Sequence, residues 1–343
     1  MRVGLVLGAG GVVGAAWLIG ALEALESETG FAATGADVIV GTSAGSVIGA
    51  LTAAGWPAPY MAAYASGRSL DGFSDLEGAA VDLDELALRE RESGDRFRLQ
   101  LALPPIGPGS WRMALSTLRN PLKHAPAAVI GGWLPRGTIS TVPIRSLVDR
   151  FVGDAWPDRL RVVACDYRTG RRVCFGSDTA PPAEVADAVA ASCAIPAFYH
   201  PVSIGGRRYV DGGLCSMSNL DLLRHEDIEV AVCLNPMSST APVAGGGPAG
   251  ALMAALRGTA RRRLEHEVRK LEAGGVEVLT VEPSSEDLAV MGTNFMSRKR
   301  RSQVAEQAHR SVARDLRLRS SQLPPLSGTR GPARGREPLR RAA

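Results

Sequence analysis

The first 54 residues of the chain alternate twice between a short apolar run and a segment rich in small residues. Residues 3–7 and 36–40 are largely apolar and predict strands, and residues 15–26 and 44–54 predict buried helices. A helix that joins two strands of one sheet brings them side by side in parallel through a right-handed crossover. Strands that are apolar along their whole length are typical of such sheets, because helices cover both faces. We therefore predict a three-layer α/β/α fold with a mostly parallel central sheet.

The rest of the chain continues this alternation and adds two irregular parts. Further helices are predicted at 144–151, 183–192, 252–273 and 302–316, and further strands at 160–165, 172–176, 207–210, 229–234 and 276–281. A charged segment at 82–98 and an irregular insertion at about 95–136 interrupt the pattern, and long insertions of this kind are usually functional. Proline, glycine, serine and arginine dominate the C-terminal end. We predict one domain at 1–317 and a disordered basic tail at 318–343.

Charge is distributed unevenly along the chain. The formal net charge is +4, yet residues 298–343 hold 13 Arg and Lys against 3 Asp and Glu, whereas residues 1–297 hold 26 against 32. Two interpretations stay open: the basic end is a solvated tail, or it is attracted to an anionic surface such as a membrane leaflet. No nucleic-acid-binding motif accompanies the basic residues, so nucleic acid is not an expected partner.

Cysteine usage and the N-terminal segment predict a cytoplasmic protein, with peripheral membrane contact as an added possibility. The five cysteines are odd in number and form no C-x-x-C pair, which argues against a disulfide framework and a thiolate zinc site. Residues 3–22 carry no charge, but six of them are glycine. Glycine at this density weakens both hydrophobicity and helix formation, so we predict neither an export signal nor a membrane span.

A G-x-S-x-G motif, GTSAG at residues 41–45, lies between a predicted strand and a predicted helix. In a nucleophile elbow the serine occupies a tight strand-to-helix turn, and the flanking glycines leave room for it. Gly41, Ser43 and Gly45 match that pattern. The same residues also fit an ordinary helix start, in which a hydroxyl caps the first turn. The position directly after a strand favours the elbow.

A glycine-rich loop, GAGGVVG at residues 8–14, follows the first predicted strand and opens the first helix. Several backbone N–H groups converge on an anion in such a loop. Acyl transfer requires donors of this kind, because negative charge develops on the carbonyl oxygen in the transition state. A dinucleotide fingerprint is the competing interpretation. It is disfavoured because the third glycine falls at Gly14, one position late, and because Asp37 starts its strand instead of ending it.

A serine nucleophile needs a base, and the sequence offers two candidates. His200 is the least implausible of the five histidines as a member of a Ser-His-Asp triad. Asp211 follows a short predicted strand, and Gly212 and Gly213 after it allow a close approach to another loop. Taken alone, the Asp-Gly-Gly segment is most simply a turn.

Five separate blocks, in chain order, resemble the patatin-like phospholipase family. They are the glycine loop at 8–14, the motif at 41–45, the segment DYRTG at 166–170 with Val173 and Phe175, the segment ASCAIP at 191–196, and the DGG at 211–213. The likeness covers roughly residues 1–60 and 136–300. It implies a patatin-like α/β/α fold and a lipid acyl hydrolase.

The resemblance also implies roles for individual residues. It makes Ser43 the nucleophile and Asp211 the general base of a Ser–Asp dyad without histidine. The backbone amides that it assigns to the oxyanion hole are those of Gly10, Gly11, Val12 and Ala44. It implies no metal and no organic cofactor, and it makes a lipid or another acyl ester the partner of the site.

The chain departs from the family pattern in its glycine loop. The family usually has a third glycine at the position of Ala9 and a Lys or Arg at the position of Val13. Backbone donors do not depend on these side chains, but a fixed positive charge near the site is lost. In addition, a carboxylate with an ordinary pKa near 3.9 matches a serine hydroxyl poorly, so oxyanion stabilisation and exclusion of water must supply much of the rate.

Two alternative functions, and the role of the insertion, remain open. The chain is a histidine-triad α/β-hydrolase esterase if His200 is the base. It is a low-activity, lipid-binding or regulatory protein if the departure at Val13 removes catalysis. For the insertion, Trp111, Met113 and Trp133 indicate either a cover over the acyl chain or a loosely packed loop, with no preference between the two.

Overall fold

The computed structural model describes residues 1–66, 108–119, 126–239, 241, 247–324 and 326. The strands of this part are β1 (Val3–Leu7), β2 (Val38–Thr42), β3 (Leu160–Asp166), β4 (Arg172–Phe175), β5 (Val202–Ile204), β6 (Arg207–Asp211), β7 (Val230–Leu234) and β8 (Glu277–Val281). Its helices are α1 (Gly11–Thr29), α2 (Ala44–Ala53), α3 (Ala58–Ser66), α4 (Trp111–Arg119), α5 (Pro126–Gly131), α6 (Val142–Val152), α7 (Val185–Ser192), α8 (Pro248–Glu272), α9 (Ser285–Met291) and α10 (Arg301–Leu318).

The eight strands of the described part form one mixed sheet whose centre is parallel. Hydrogen-bonded neighbours follow the order β5-β6-β3-β2-β1-β7-β8, with β4 paired to β3. The pairs from β3 through β2, β1 and β7 to β8 are all parallel, whereas β4 and β6 run antiparallel to β3, and β5 runs antiparallel to β6. The predicted mostly parallel sheet is confirmed.

Helices cover both faces of the sheet. On β1, Leu5 and Leu7 belong to the core formed with α1 and α2, whereas Val6 belongs to a second core that contains Leu264 and Leu271 of α8. Alternate residues of a strand point to opposite faces, so one strand serves two cores. The three-layer α/β/α architecture is therefore confirmed. Helix α1 lies buried between the sheet and α10, which explains why residues 3–22 carry no charge.

The ends of β2 and β6 meet on one edge of β3. Val162 and Val163 of β3 pair with both β2 and β4, and Ala164 and Cys165 pair with both β6 and β4. Two strands cannot occupy the same edge at the same residues, so β2 and β6 both lie on the edge of β3 opposite β4. β2 ends at Thr42, which pairs with Val163, and β6 ends at Asp211, which pairs with the next residue, Ala164. The residue after Thr42 therefore lies beside Asp211.

Outside the insertion, α3, β5 and α9 were not predicted from the sequence. β5 is only three residues long and completes a hairpin with β6, so its pattern is too short to identify. α9 begins with a capping box, in which Ser284 and Asp287 bond each other's backbone amides. That Ser-x-x-Asp spacing is a recognisable signal for a helix start. α1 also begins at Gly11, four residues before the predicted start at Ala15, because the end of the glycine loop is already helical.

The insertion is more regular than expected where it is described. α4 and α5 lie within it, and Met113 and Ala128 are buried beside Leu214, just after β6. The expectation of a loosely packed loop is therefore wrong for these two helices. Trp111 and Trp133 are exposed and contact each other edge to face, with ring centroids 5.9 Å apart. A role as an acyl-chain cover stays a prediction, and residues 95–107, 120–125 and the charged segment at 82–98 lie outside the described residues.

The C-terminal part continues past the predicted domain boundary. A short 3-10 turn follows α10 at Ser320–Gln322, and Leu326 is buried in the main core. The remainder of the predicted tail, residues 327–343, lies outside the described part of the chain. None of the helices in the described part has the length and apolar character that crossing a bilayer requires.

Candidate active site

Ser43 lies on a strained turn between β2 and α2. Its backbone dihedrals are φ 52° and ψ −121°, a region that residues other than glycine rarely adopt. Strain of this kind costs of order 1–3 kcal/mol and persists only where the surroundings hold it. The side chain is 4% exposed, so the hydroxyl lies inside the protein at the carboxyl end of the sheet.

Gly41 and Gly45 are required by close backbone approach around this turn. A Cβ on Gly45 would collide with the carbonyl of Leu7 at the end of β1. A Cβ on Gly41 would lie 2.5 Å from the carbonyl oxygen of Gly45. The two glycines therefore allow α2 to start directly against the ends of β1 and β2, as the G-x-S-x-G motif predicts.

Ser192, the last residue of α7, holds the turn from one side. The backbone amide of Ser43 donates a 2.8 Å hydrogen bond to the Ser192 hydroxyl, which in turn donates a 2.5 Å hydrogen bond to the carbonyl of Val163. Val163 pairs with Thr42, the last residue of β2, and the next residue, Ala164, pairs with Asp211, the last residue of β6. Ser192 lies in the 191–196 block of the family resemblance, but its contact with Ser43 was not predicted from the sequence.

Asn219 holds the same turn through the neighbouring residue. Its side-chain amide donates a 3.0 Å hydrogen bond to the Thr42 hydroxyl, and its carbonyl oxygen accepts one of 3.2 Å from Arg172. Arg172 also donates to both carboxylate oxygens of Asp221, at 2.6 and 3.1 Å. This network was not predicted, since it joins segments that are far apart in the sequence, and of its residues only Thr42 belongs to a short motif.

Asp211 ends β6 and is 6% exposed. Its Oδ1 accepts a 2.7 Å hydrogen bond from the amide of Gly213, and the side chain of Ser43 lies near enough to act on its pKa. Burial raises the pKa of Asp211 to about 6, against the opposing effects of Ser43 and of the Gly213 amide. The motif alone predicts an ordinary pKa for this carboxylate, because burial cannot be read from it.

The structure therefore brings Ser43 and Asp211 together and leaves His200 out of this contact. The Nε2 atom of His200 is buried and has no hydrogen-bond partner among the described residues. Of the other histidines, His225 accepts a hydrogen bond from Arg224, and His309 lies 3.5 Å from Glu23. None of these contacts involves Ser43.

The glycine loop presents free backbone donors beside this pair. Within the described residues, no acceptor is found for the amides of Gly10, Gly11, Val12 and Ala44. The first amides of a helix have no partner inside it, and α1 and α2 both begin here. Their N-terminal ends carry partial positive charge, which favours an anion between them. These are the four amides that the family resemblance assigns to the oxyanion hole.

Two neighbouring amides of the loop are already occupied. Ala9 donates to the carbonyl of Met217 at 2.8 Å, and Val13 donates to the carbonyl of Phe295 at 3.0 Å. The Val13 side chain is buried in the main core, so an apolar residue fills the place where the family usually has a cation.

The DYRTG segment at 166–170 has a structural explanation. Oδ1 of Asp166 accepts hydrogen bonds of 2.8 Å from the amides of Arg168 and Thr169, which closes the turn between β3 and β4. This carboxylate therefore shapes the hairpin, with no contact to Ser43 among its hydrogen bonds. Within the described residues, no group of three His, Cys, Asp or Glu side chains is arranged to hold a metal ion.

Comparison with known proteins identifies the family of the chain. The family model of patatin-like phospholipases matches residues 5–224, a span that includes both Ser43 and Asp211. The chain therefore belongs to the patatin-like phospholipase family, whose members are hydrolases of lipid esters. A comparison with curated proteins gives no match.

Two solved structures are similar to the chain at low identity. VipD from Legionella pneumophila has a TM-score of 0.42 and 14% identity, over 92% of this chain and 67% of that one. The type III effector ExoU has a TM-score of 0.35 and 16% identity, over 93% of this chain and 53% of that one. The chain thus spans about two thirds and about half of the length of these two proteins.

Proposed function

We propose that the chain is a serine acyl hydrolase that cleaves carboxylic ester bonds of phospholipids or lysophospholipids, with Ser43 as nucleophile and Asp211 as general base. The observation that carries this proposal is the position of these two buried side chains at the adjoining ends of β2 and β6, beside backbone amides for which no acceptor is found in the described part of the chain. A nucleophile, a base and oxyanion donors within one site are the parts that acyl transfer requires.

In the first half of the reaction, Asp211 accepts the proton of the Ser43 hydroxyl while Oγ attacks the ester carbonyl carbon. The carbonyl oxygen becomes an oxyanion that the amides of the glycine loop and of Ala44 stabilise. The tetrahedral intermediate then breaks its bond to the alcohol oxygen. Asp211 returns its proton to this leaving alcohol, and an ester of Ser43 remains.

In the second half, Asp211 accepts a proton from a water molecule, which attacks the acyl-Ser43 carbonyl at the same oxyanion site. Collapse of the second intermediate releases the fatty acid and returns the proton to Ser43. Each proton that Asp211 accepts is given back in the same half-reaction, so the residue ends as it began. No step requires a group from outside the site apart from water.

The raised pKa of Asp211 supports its role as the base. A carboxylate with a pKa of about 6 is still ionised at neutral pH but accepts a proton more readily than one near 3.9. Burial produces this change without a histidine. The oxyanion donors therefore have to supply less of the rate enhancement than they would beside a base with an ordinary pKa.

We also retain peripheral attraction to anionic lipid as part of the proposal. Three arginines in the last turns of α10 and directly after it are paired with acidic residues within the chain, namely Arg314, Arg317 and Arg319. Lys299, Arg300 and Arg301 are exposed, and no acidic partner is found for them in the described part of the chain. Unpaired surface cations of this kind are attracted to anionic leaflets.

Fatty acid release from lysophospholipid micelles and phospholipid vesicles tests the proposed function. Wild-type protein and the His200→Ala variant are expected to release fatty acid, whereas Ser43→Ala is expected to release none above the uncatalysed background. Loss of activity in His200→Ala, with activity kept in Asp211→Asn, would instead support the histidine triad. A folded wild-type protein inactive on every lipid tested would support a silent, lipid-binding member.

A further inference from the structure

We propose that a groove between the N-terminal halves of α1 and α2 holds the acyl chain of the substrate. This inference rests on the proposed function and adds the subsite that selects the acyl group. The groove has a volume of about 200 Å³ and is separate from the contacts of Ser43 and Asp211 described above.

The inner end of the groove adjoins the reacting groups. Val12, which lines it, directly follows Gly10 and Gly11, whose amides have no acceptor in the described part of the chain. Val47 lines the opposite wall and is one helical turn from Ser43, because its amide lies 3.4 Å from the Ser43 carbonyl. The acyl chain of an ester whose carbonyl lies between these groups can therefore enter the groove directly.

The walls follow one face of each helix. Ala15 and Ile19 continue the α1 wall beyond Val12 at helical spacing, and Leu51 continues the α2 wall beyond Val47. The two stripes run in the same direction, away from the N-terminal ends of the helices. The groove is thus elongated along the direction in which an unbranched chain would leave the ester.

The lining of the groove is mostly hydrocarbon, and Tyr60 and Arg301 are its polar members among the described residues. The far end is formed by Trp56 and Phe151, whose ring centroids lie 5.3 Å apart, together with Met61. The indole N–H of Trp56 is bonded to the Phe151 carbonyl at 2.8 Å, so it offers no free donor to a ligand. Among the described residues that line the groove, only Arg301 is charged, and it is exposed. A headgroup placed among the apolar side chains of the groove would lose water and gain few partners.

The size of the groove limits how much of the chain it takes. An apolar cavity of about 150 Å³ is known to hold a benzene molecule, so about 200 Å³ accommodates a short stretch of an acyl chain. Each methylene that enters is expected to raise kcat/KM by about fourfold. The increase should stop once the groove is full.

Hydrolysis of p-nitrophenyl esters of increasing chain length, from acetate upward, tests this assignment. We expect kcat/KM of the wild type to rise with each methylene and then to level off. Ala15→Phe, which fills the groove, is expected to move the plateau to shorter chains, and Leu51→Ala to move it to longer ones. The control is Ala273→Phe, the same change at an exposed position after α8, and its profile should match the wild type.

A binding measurement separates this inference from the proposed function. We expect cis-parinaric acid to bind the Ser43→Ala protein and to bind at least tenfold more weakly when Ala15→Phe is added. If the wild type hydrolyses no ester but this binding pattern holds, the groove is supported and the proposed function fails. If hydrolysis occurs with the same chain-length profile in all variants, the groove assignment is overturned.

The chain itself offers one competing occupant. Residues 67–107 follow α3, on which Met61 lies. If part of that segment fills the groove, Ala15→Phe should lower the melting temperature while the chain-length profile and the parinarate affinity stay unchanged. That result would also overturn the assignment.

Discussion

The backbone amide of Ser43 donates a 2.8 Å hydrogen bond to the hydroxyl of Ser192, a residue 149 positions further along the chain. The same hydroxyl donates to the carbonyl of Val163. One buried side chain thus joins the strained turn after β2, the end of α7 and the edge of β3. The backbone conformation that exposes the Ser43 hydroxyl to Asp211 is held by this contact as well as by the two glycines of the motif.

Replacing Ser192 by alanine should therefore affect both stability and catalysis. The Ser43 amide and the Val163 carbonyl would each lose a buried partner, which costs about 1–3 kcal/mol per group. We expect urea unfolding to show a loss of about 2–6 kcal/mol for the two groups together. We also expect kcat to fall more than KM changes, since the nucleophile is displaced while the groove is intact.

Ser311 provides a matched control for that experiment. It is also a buried serine, and its hydroxyl is bonded to Asp287 at 2.8 Å, away from Ser43. Ser311→Ala should lose comparable stability with kcat unchanged. Equal losses of kcat in the two variants would show that Ser192 acts only through general stability.

The pH profile of kcat/KM should report the ionisation of Asp211. The base must be deprotonated, and its pKa is raised to about 6 by burial. We expect kcat/KM to be level above that pH and to fall tenfold per unit below it. A profile that stays level down to pH 4 would exclude Asp211 as the base.

The same pKa predicts that Asp211 destabilises the folded protein near neutral pH. Its pKa is raised from 3.8 to about 6 on folding. Between these pH values Asp211 is therefore ionised in the unfolded chain but still mostly protonated in the folded protein. Unfolding free energy therefore falls as pH rises through this window, and above it the cost is constant at about 3 kcal/mol. Asp211→Asn should be more stable than the wild type at pH 8, by up to this amount, and the difference should vanish near pH 4.

The pKa of Asp221 is shifted in the opposite direction, so this residue serves as the control. Burial tends to raise its pKa, but the hydrogen bonds and charge of Arg172 outweigh burial, and the pKa is lowered below 3.8. Its stabilising contribution is present above that value and is lost as pH falls. Asp221→Asn should therefore be less stable than the wild type at pH 8. Chemical unfolding at several pH values checks both variants, and a destabilised Asp211→Asn at pH 8 would contradict the account.

Local patterns in the sequence predicted the parts of the site that are local. The turn at residues 41–45 and the loop at 8–14 each depend on a strand, a few glycines and a helix, and all of these are adjacent in the chain. The pairing of Ser43 with Asp211 came from the family resemblance. It depends on the register of β2 and β6 against β3, which no single segment records.

The features that the sequence did not predict depend on three-dimensional surroundings. Ser192 acts because its hydroxyl fills the interval between two strand ends, so its neighbours in the chain give no sign of the role. The pKa of Asp211 depends on burial beneath several elements. The helices of the insertion have short, interrupted patterns, and tertiary packing of Met113 and Ala128 stabilises them.

Covalent labelling by a fluorophosphonate tests the central claim most directly, because it reports the activated nucleophile without assuming a lipid. We expect one adduct, which peptide mass spectrometry places on Ser43. The labelling rate should fall by about 10² to 10⁴ in Asp211→Asn, since general-base assistance is of that size, and should be unchanged in His200→Ala. A folded wild type that is not labelled at Ser43, or an Asp211→Asn variant labelled at the wild-type rate, would contradict the account.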